Sequence, residues 1–241
     1  MPDLSLVMNF HREGILAHWS LLAFSRMREC ATRAGLTVQL VAVLDRSDEA
    51  TRHMVAKHPE VVKGDQVLVV DNGDLGLSRN AGVRSADADF IGMLDGDDFC
   101  SANWLAQALR TARTLGDSAV VHPDYVVSHG SIHLLGRCVD QLSNDFPTEA
   151  CFKHHPWVSV VVAERGVFDE IQYRPTRTSE TGFGYEDWDW NLEVLASGRK
   201  HTVAPETCLF YRRRGNSMLA SMHSRQALVR PGRFFECEGW M

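Results

Sequence analysis

The chain has 241 residues, 44% hydrophobic and 23% charged, enough for one sizeable α/β core or two small ones, and no low-complexity run divides it. A formal net charge of -6 and a pI near 6.0 argue against a nucleic-acid-binding protein, which normally carries a basic face. Leu4 to Phe10 follow the start with neither a basic flank nor an apolar stretch long enough for a leader or a membrane span, so the sequence reads as cytoplasmic.

Taken in order, Leu4 to Met8 predict a first strand, ending in the polar turn Asn9-Phe-His-Arg-Glu13. A helix is expected next. Ile15, Leu16, Trp19, Leu22, Met27, Cys30 and Ala31 recur mostly at three- and four-residue spacings, and Gly35 ends the pattern. Val38 to Leu44 form a second strand that runs into the acidic loop Asp45-Arg-Ser-Asp-Glu49, followed by a helical segment from about Ala50 to His58. A third strand, Gln66 to Val70, ends at Asp71-Asn-Gly-Asp74. Leu75 to Ala86 then read as a loop and short helix. Strands alternating with helices predict a mostly parallel sheet with crossover helices.

The fourth strand carries the most chemistry. In Ala88-Asp-Phe-Ile-Gly-Met-Leu-Asp-Gly-Asp-Asp-Phe99 an apolar run with the character of a doubly covered strand breaks off into Asp95, Asp97 and Asp98. Three carboxylates in four positions repel one another unless a cation or the donors of a ligand take up the charge. Ligands of open α/β sheets bind beyond the carboxyl ends of the strands, where these residues would lie. An acidic solvated turn would look the same in isolation.

Beyond it, Ala102 to Leu115 predict a helix closed by Gly116. Ser118 to Val121 predict a strand, and Asp124 to Leu135 a hairpin turning at His129-Gly130, giving this half an antiparallel character. Val158 to Ala163 read as a strand, Arg165 to Glu170 as a short helix, and Tyr173 to Phe183 as a mobile loop. In Gly184-Tyr-Glu-Asp-Trp-Asp-Trp-Asn-Leu-Glu-Val-Leu-Ala-Ser-Gly198 a helix is expected with Trp188, Leu192, Leu195 and Ala196 inward. Glu186 and Asp187 at its start fit either helix capping or a general base held at a cleft. Thr207 to Tyr211 form a last strand leading into Arg212-Arg-Arg-Gly-Asn-Ser-Met218. Its three arginines suit either a solvated face or a diphosphate, which forked donors and backbone amides hold well.

Six cysteines, at 30, 100, 138, 151, 208 and 237, form no CxxC pair and read as reduced thiols. Cys151 with His154 and His155 could be imagined as zinc ligands, but no second ligand pair at a finger-like spacing follows.

Six motifs in this order resemble the family 2 inverting glycosyltransferases of the GT-A fold, over residues 4 to about 218. They are Met8-Asn-Phe-His-Arg-Glu13, a strand ending at Asp45, Gly76-Leu-Ser-Arg-Asn-Ala-Gly82, Leu94-Asp-Gly-Asp-Asp98, Tyr185-Glu-Asp-Trp188 and Tyr211-Arg-Arg-Arg-Gly-Asn-Ser-Met218. Each alone is weak; the ordered set is specific. The resemblance implies a mostly parallel Rossmann-like sheet flanked by helices, with a smaller antiparallel portion in the C-terminal half. The chain is expected to be one domain over 1–241, with a nucleotide-binding half to about 100 and an acceptor-binding half over about 101–218 implied by the resemblance, and a tail, 219–241, outside it and of unassigned role. The resemblance implies a nucleoside-diphosphate sugar donor, Mg²⁺ or Mn²⁺, and single-displacement transfer to a glycan or glycolipid acceptor in polysaccharide or glycoconjugate synthesis. Peripheral contact at the inner face of a membrane is compatible with that role.

Carried over residue by residue, Phe10, Glu13 and Asp45 would surround the nucleobase and ribose, with Arg79 near the nucleotide. Asp95 would contact ribose or metal, Asp97 would ligate the metal, Asp187 would be the base with Glu186 beside it, and Arg212 and Arg214 would assist at the diphosphate. The chain departs from the pattern in three places. Met8 stands where many relatives have Pro, His11 where they have Asn, and Arg214 where some have a metal-binding His. The last change leaves the cation with fewer protein ligands, or with a smaller role and arginine taking part of the charge. Two other readings compete. A non-catalytic sugar-nucleotide-binding module sits poorly with retention of Asp97 and Asp187. A nucleotidyltransferase would usually carry a Gly-rich loop after its first strand, and Asn9 to Glu13 contain no glycine.

Overall fold

A computed structural model describes residues 1–143, 146, 148–215 and 217–236; Cys237 and Asn216 lie outside the described residues. The first half runs β1 (Leu4–Phe10), α1 (Ile15–Arg33), β2 (Val38–Asp45), α2 (Glu49–Ala56), β3 (Gln66–Val70), α3 (Leu75–Ser85), β4 (Phe90–Asp95), β5 (Phe99–Cys100) and α4 (Trp104–Leu115). The second runs β6 (Ala119–Gly130), β7 (Leu134–Arg137), β8 (Val161–Glu164), α5 (Arg165–Glu170), α6 (Thr178–Thr181), β9 (Phe183–Gly184), α7 (Glu186–Ala196), β10 (Lys200–Arg213), α8 (Met218–Ser224), β11 (Leu228–Val229) and α9 (Arg233–Glu236).

Among the described residues the main sheet has nine strands in the order β3-β2-β1-β4-β8-β6-β10-β5, with β7 paired to β6. The pairs β3/β2, β2/β1 and β1/β4 are parallel, as the strand-helix alternation predicts, so β1 to β4 all end at one edge. The antiparallel portion is β8 against β4 and β6, β7 against β6, and β5 against β10. β10 and β6 are parallel over a long register broken by a bulge between Ala204 and Cys208. The expected short strand and hairpin arm are thus one 12-residue strand, β6. Pro123, which made a break plausible, pairs with Ala204 at the edge of the bulge, where a missing ladder donor is tolerated.

The strands are apolar on both faces because helices cover both. Leu4, Leu6, Met8 and Phe10 of β1 meet Leu21, Phe24 and Met27 of α1 and Leu105 of α4. Val7 lies on the opposite face with Val83 of α3, Val167 of α5, and Trp190 and Val194 of α7. α3 seats tightly on β1: a Cβ at Gly82 would fall 2.3 Å from Val7 Cγ1.

The periodic residues of α1 do not all face inward. Ile15 and Trp19 are 58% and 54% exposed, while Ala17, Leu21, Phe24, Met27 and Ala31 are buried. The helix carries apolar residues on two flanks, and the sheet takes the one with smaller residues near its start. α7 is buried on two sides: Trp190 and Val194 enter the main core, and Trp188, Leu195 and Ala196 pack on a small cluster around Trp157, Leu192 and Phe234. The segment expected as a loop over 173–183 contains α6 and is pinned by Asp74, whose carboxylate accepts from the Thr176 and Arg177 amides at 2.8 and 3.2 Å. No helix among the described residues is long and apolar enough to cross a membrane.

Candidate functional site

The carboxyl ends of β1, β2 and β4 open into a cleft of about 1320 Å³, closed on its other side by the start of α7, the end of β10 and α8. That is larger than a typical small-ligand pocket of about 300–1,000 Å³ and leaves room for two substrates. Phe10, Glu13, Asp45, Arg79, Asp95, Asp97, Glu186, Asp187, Arg212 and Arg214, far apart in sequence, all line it.

The acidic turn is shaped by its glycine. Gly96 donates its amide to the Asn9 carbonyl at 2.9 Å, and its own carbonyl accepts from Ser20 Oγ at 2.7 Å. A Cβ there would lie 2.4 Å from Phe10 Cδ1 and 2.6 Å from the Asn9 oxygen. Phe10 is 1% exposed and belongs to the core, and its ring also lines the cleft floor, because β1 runs two residues past Met8 and turns this side chain inward.

Arg79, on α3 and 1% exposed, holds the centre. Its Nη1 donates to Glu186 Oε1 at 2.7 Å and its Nη2 to Asp95 Oδ1 at 3.0 Å, with the guanidinium over the Tyr173 ring. Burial works against the charge, but Asp95 and Glu186 outweigh it and hold the guanidinium protonated. The Asn80 amide fixes this arrangement by bonding the Tyr173 carbonyl and amide at 2.8 and 3.0 Å.

Glu186 and Asp187, adjacent in sequence, point to different places. α7 starts from Tyr185 in a left-handed conformation (φ 57°), an unfavourable one for a tyrosine. Glu186 is turned inward to Arg79, and burial pushes its carboxyl up to about 7 despite that cation. Asp187 remains 26% exposed on the cleft wall, Oδ1 accepting the Trp188 amide at 2.9 Å. His155 lies 3.8 Å from Asp187 Oδ2 and stacks on Trp188; burial lowers its affinity for a second proton. Glu186 is therefore a buried partner of Arg79, while Asp187 remains open to the cleft.

Asp45 is tied down by its surroundings: Oδ1 accepts from the Asn72 and Gly73 amides at 2.9 and 3.0 Å, and Oδ2 from Ser78 Oγ at 2.9 Å. It organises the loop before α3 at the cleft edge. Glu13 is lifted above the ordinary carboxylate range by burial, and the neighbouring Asp97 adds to this against the His11 amide.

The pairing β10/β5 matches Leu209 to Cys100 and Phe210 to Phe99. It carries the arginines across the acidic turn. The Arg212 amide donates to Asp98 Oδ1 at 2.7 Å, Arg212 Nε to the Asp97 carbonyl at 3.2 Å, and Arg214 Nη2 to Asp97 Oδ2 at 2.5 Å. Asp98 is 1% exposed and is pushed well above its ordinary range by burial and then by Asp97 and Asp95.

A hard divalent cation requires oxygen ligands converging on one point. Asp95 has both oxygens taken, by Arg79 and by Ser159 Oγ at 3.0 Å; Asp97 is paired to Arg214, and Asp98 faces the β10 backbone. Among the described residues no three His, Cys, Asp or Glu side chains are grouped to hold a metal. The expected ligands Asp97 and Asp95 are engaged by Arg214 and by Arg79 and Ser159, while Asp98 Oδ2 is buried without a hydrogen-bond partner. Cys151 is buried in the small cluster with Trp157.

Ser159, which lines the cleft, and Tyr173, which lies under Arg79, have no sequence signal of their own. Ser159 sits in an apolar run and Tyr173 in a polar segment, and neither neighbourhood marks them.

The family model described as Glycosyl transferase family 2 matches residues 23–146. The succinoglycan biosynthesis protein ExoM of Rhizobium meliloti (strain 1021) is 32% identical over 91 residues, 38% of this chain and 29% of that protein. EpsH of Bacillus subtilis (strain 168) is 29% identical over 75 residues, 31% of this chain and 22% of that protein. The matched stretches thus span under a third of either relative. The crystal structure of S. aureus TarS 1-349 in complex with UDP-GlcNAc superposes with a TM-score of 0.67 at 15% identity, covering 97% of this chain and 64% of that one. The UDP complex of TarS 1-349 gives 0.63 at 12% identity, covering 96% and 67%. The mostly parallel sheet with an antiparallel portion is therefore that of a GT-A fold.

Proposed function

Because the chain belongs to glycosyl transferase family 2, we propose that it moves a sugar from a nucleoside-diphosphate sugar to an acceptor hydroxyl with inversion, and that Asp187 is the base. The observation that carries this reading is the separation of the two adjacent carboxylates: Glu186 locked on Arg79, Asp187 left open to the cleft. The acceptor hydroxyl gives its proton to Asp187 as its oxygen bonds to the anomeric carbon. The bond from that carbon to the phosphate oxygen breaks on the opposite face, and its electron pair leaves with the nucleoside diphosphate. Arginines at the leaving group stabilise the charge that develops there. Glu13 and Asp45 border the nucleoside end, in the half up to about residue 100, and the acceptor enters over residues 101–218. ExoM is named for succinoglycan biosynthesis, which suits a glycan acceptor here, and the TarS structure for its UDP-GlcNAc complex, which suits a uridine-type donor.

The test is Asp187→Asn. It should keep nucleoside diphosphate binding within about twofold and lower transfer by about 10²–10⁴-fold, the usual worth of a general base. Proton NMR of the product should show the anomeric configuration opposite to the donor's. Release of pyrophosphate instead of nucleoside diphosphate, or unchanged turnover in Asp187→Asn, refutes the proposal.

A further inference from the structure

The charge balance of the acidic turn leads beyond this reading while resting on it. A sugar diphosphate leaves easily when fixed positive charge meets its phosphates. The positive charge at this turn is built from the chain itself. Of its carboxylates, Asp95 is held by Arg79 and Ser159, Asp98 by the Arg212 amide, and Asp97 by the Arg214 guanidinium. The placement of Arg214 is a matter of register. β10 continues antiparallel from its pairs with β5, and the Arg212 amide and Nε are already bonded to Asp98 and the Asp97 carbonyl. Arg214, two residues on along the same edge, therefore reaches Asp97 without a long free side chain. It remains one-third exposed toward the cleft, so part of its fork of five donors is open to a ligand.

A divalent ion on Asp97 would have to share that carboxylate with the guanidinium and lie against a like charge. A guanidinium there needs no such ion, and its planar fork matches phosphate oxygens directly. From this geometry we infer that Arg214 takes the place of the divalent cation, so that the nucleoside diphosphate is bound and released without metal. Asp97 then serves to position Arg214, and the bonds made and broken in the transfer are those already described.

The experiment is nucleoside diphosphate binding by thermal shift and calorimetry, using UDP, GDP, dTDP and CDP, each with excess EDTA or with Mn²⁺. The proteins are the wild type, Arg214→Ala and Arg214→His. The expected result is that one diphosphate binds the wild type with the same affinity, within about threefold, in EDTA and in Mn²⁺. Arg214→Ala should bind it at least tenfold more weakly in EDTA, and Arg214→His, with a metal-ligating side chain beside Asp97, should gain affinity when Mn²⁺ is added. The wild-type arm needs no variant, so misfolding of either substitution leaves it decisive. Wild-type binding that falls tenfold or more in EDTA and returns with Mn²⁺ overturns the inference while leaving the donor reading intact. If no diphosphate binds under any condition, the donor reading fails, and the inference with it.

Discussion

Arg79 offers the sharpest test of how the site is held together. Arg79→Met keeps most of the side-chain volume and removes the guanidinium, breaking the 2.7 Å bond to Glu186 and the 3.0 Å bond to Asp95. Removing one partner of a buried ion pair costs about 3–5 kcal/mol, because the remaining charge is uncompensated. Asp95 keeps Ser159 and is a quarter exposed, so most of the loss falls on Glu186, whose side chain is 5% exposed. Glu186 can escape by taking a proton, which places the expected cost near the lower bound, about 3 kcal/mol. For a domain of this size that is a fall in Tm of about 6–12 °C. The sign with pH follows. Glu186 sits at about 7 when folded against 4.5 ordinarily, so the folded protein holds its proton longer. The stability this group contributes is present below pH 4.5 and is lost as pH rises through 7. Without Arg79 the carboxyl moves higher still, so the penalty should be smallest near pH 5 and grow toward pH 8. Urea unfolding at pH 5, 6.5 and 8 measures it, and Arg79→Met/Glu186→Gln should recover most of the pH 8 loss. A loss under about 1 kcal/mol at pH 8, or a double variant whose losses simply add, refutes the argument.

Glu186→Gln alone should flatten the dependence of Tm on pH between 4.5 and 7, measured against wild type in matched buffers; an unchanged slope assigns that titration to another group. Gly96→Ala should destabilise the fold by about 1–3 kcal/mol in denaturant unfolding, since its Cβ would overlap Phe10 and the Asn9 carbonyl. Wild-type stability in that variant would mean the turn shifts easily. Asp74→Ala removes the α3 cap on the Leu77 amide as well as the tether to residues 176 and 177. It should cost about 1–2 kcal/mol and expose 174–182 to limited proteolysis, read by mass spectrometry of the cleavage products. An uncleaved segment in Asp74→Ala would show that other contacts hold it.

The elements of the first half were legible because each carried its own period and stop signal. The apolar run of β3 is found at its expected bounds, and β1, β2 and α4 within two residues of theirs. The buried face of α1 was legible only in part. Apolar residues lay on two flanks, and only contact with β1 and α4 chooses between them. The second half was harder for a related reason. β6 and β10 are long strands interrupted by Pro123 and by a bulge, and local signals read such interruptions as ends. The parallel pairing of β6 with β10 joins residues about 80 apart, which no short-range pattern reveals.

The candidate site shows the same division between residue type and partner. Its members could be named because crowded carboxylates, a strand end rich in arginine and a helix beginning with two acids are unusual chemistry at any address. Their pairing was invisible: Arg79 meets Glu186 across 107 residues, and Arg214 meets Asp97 across 117. Pairing changes the roles. Glu186 and Asp187 look equivalent in sequence until the left-handed Tyr185 turns one to a buried cation and leaves the other at the cleft wall. Asp97 stands alone in an acidic turn in sequence, and the register of β10 brings a guanidinium onto its carboxylate. The partners of the acidic turn are therefore set by the strand the sheet carries across it, and in this chain that strand brings Arg212 and Arg214.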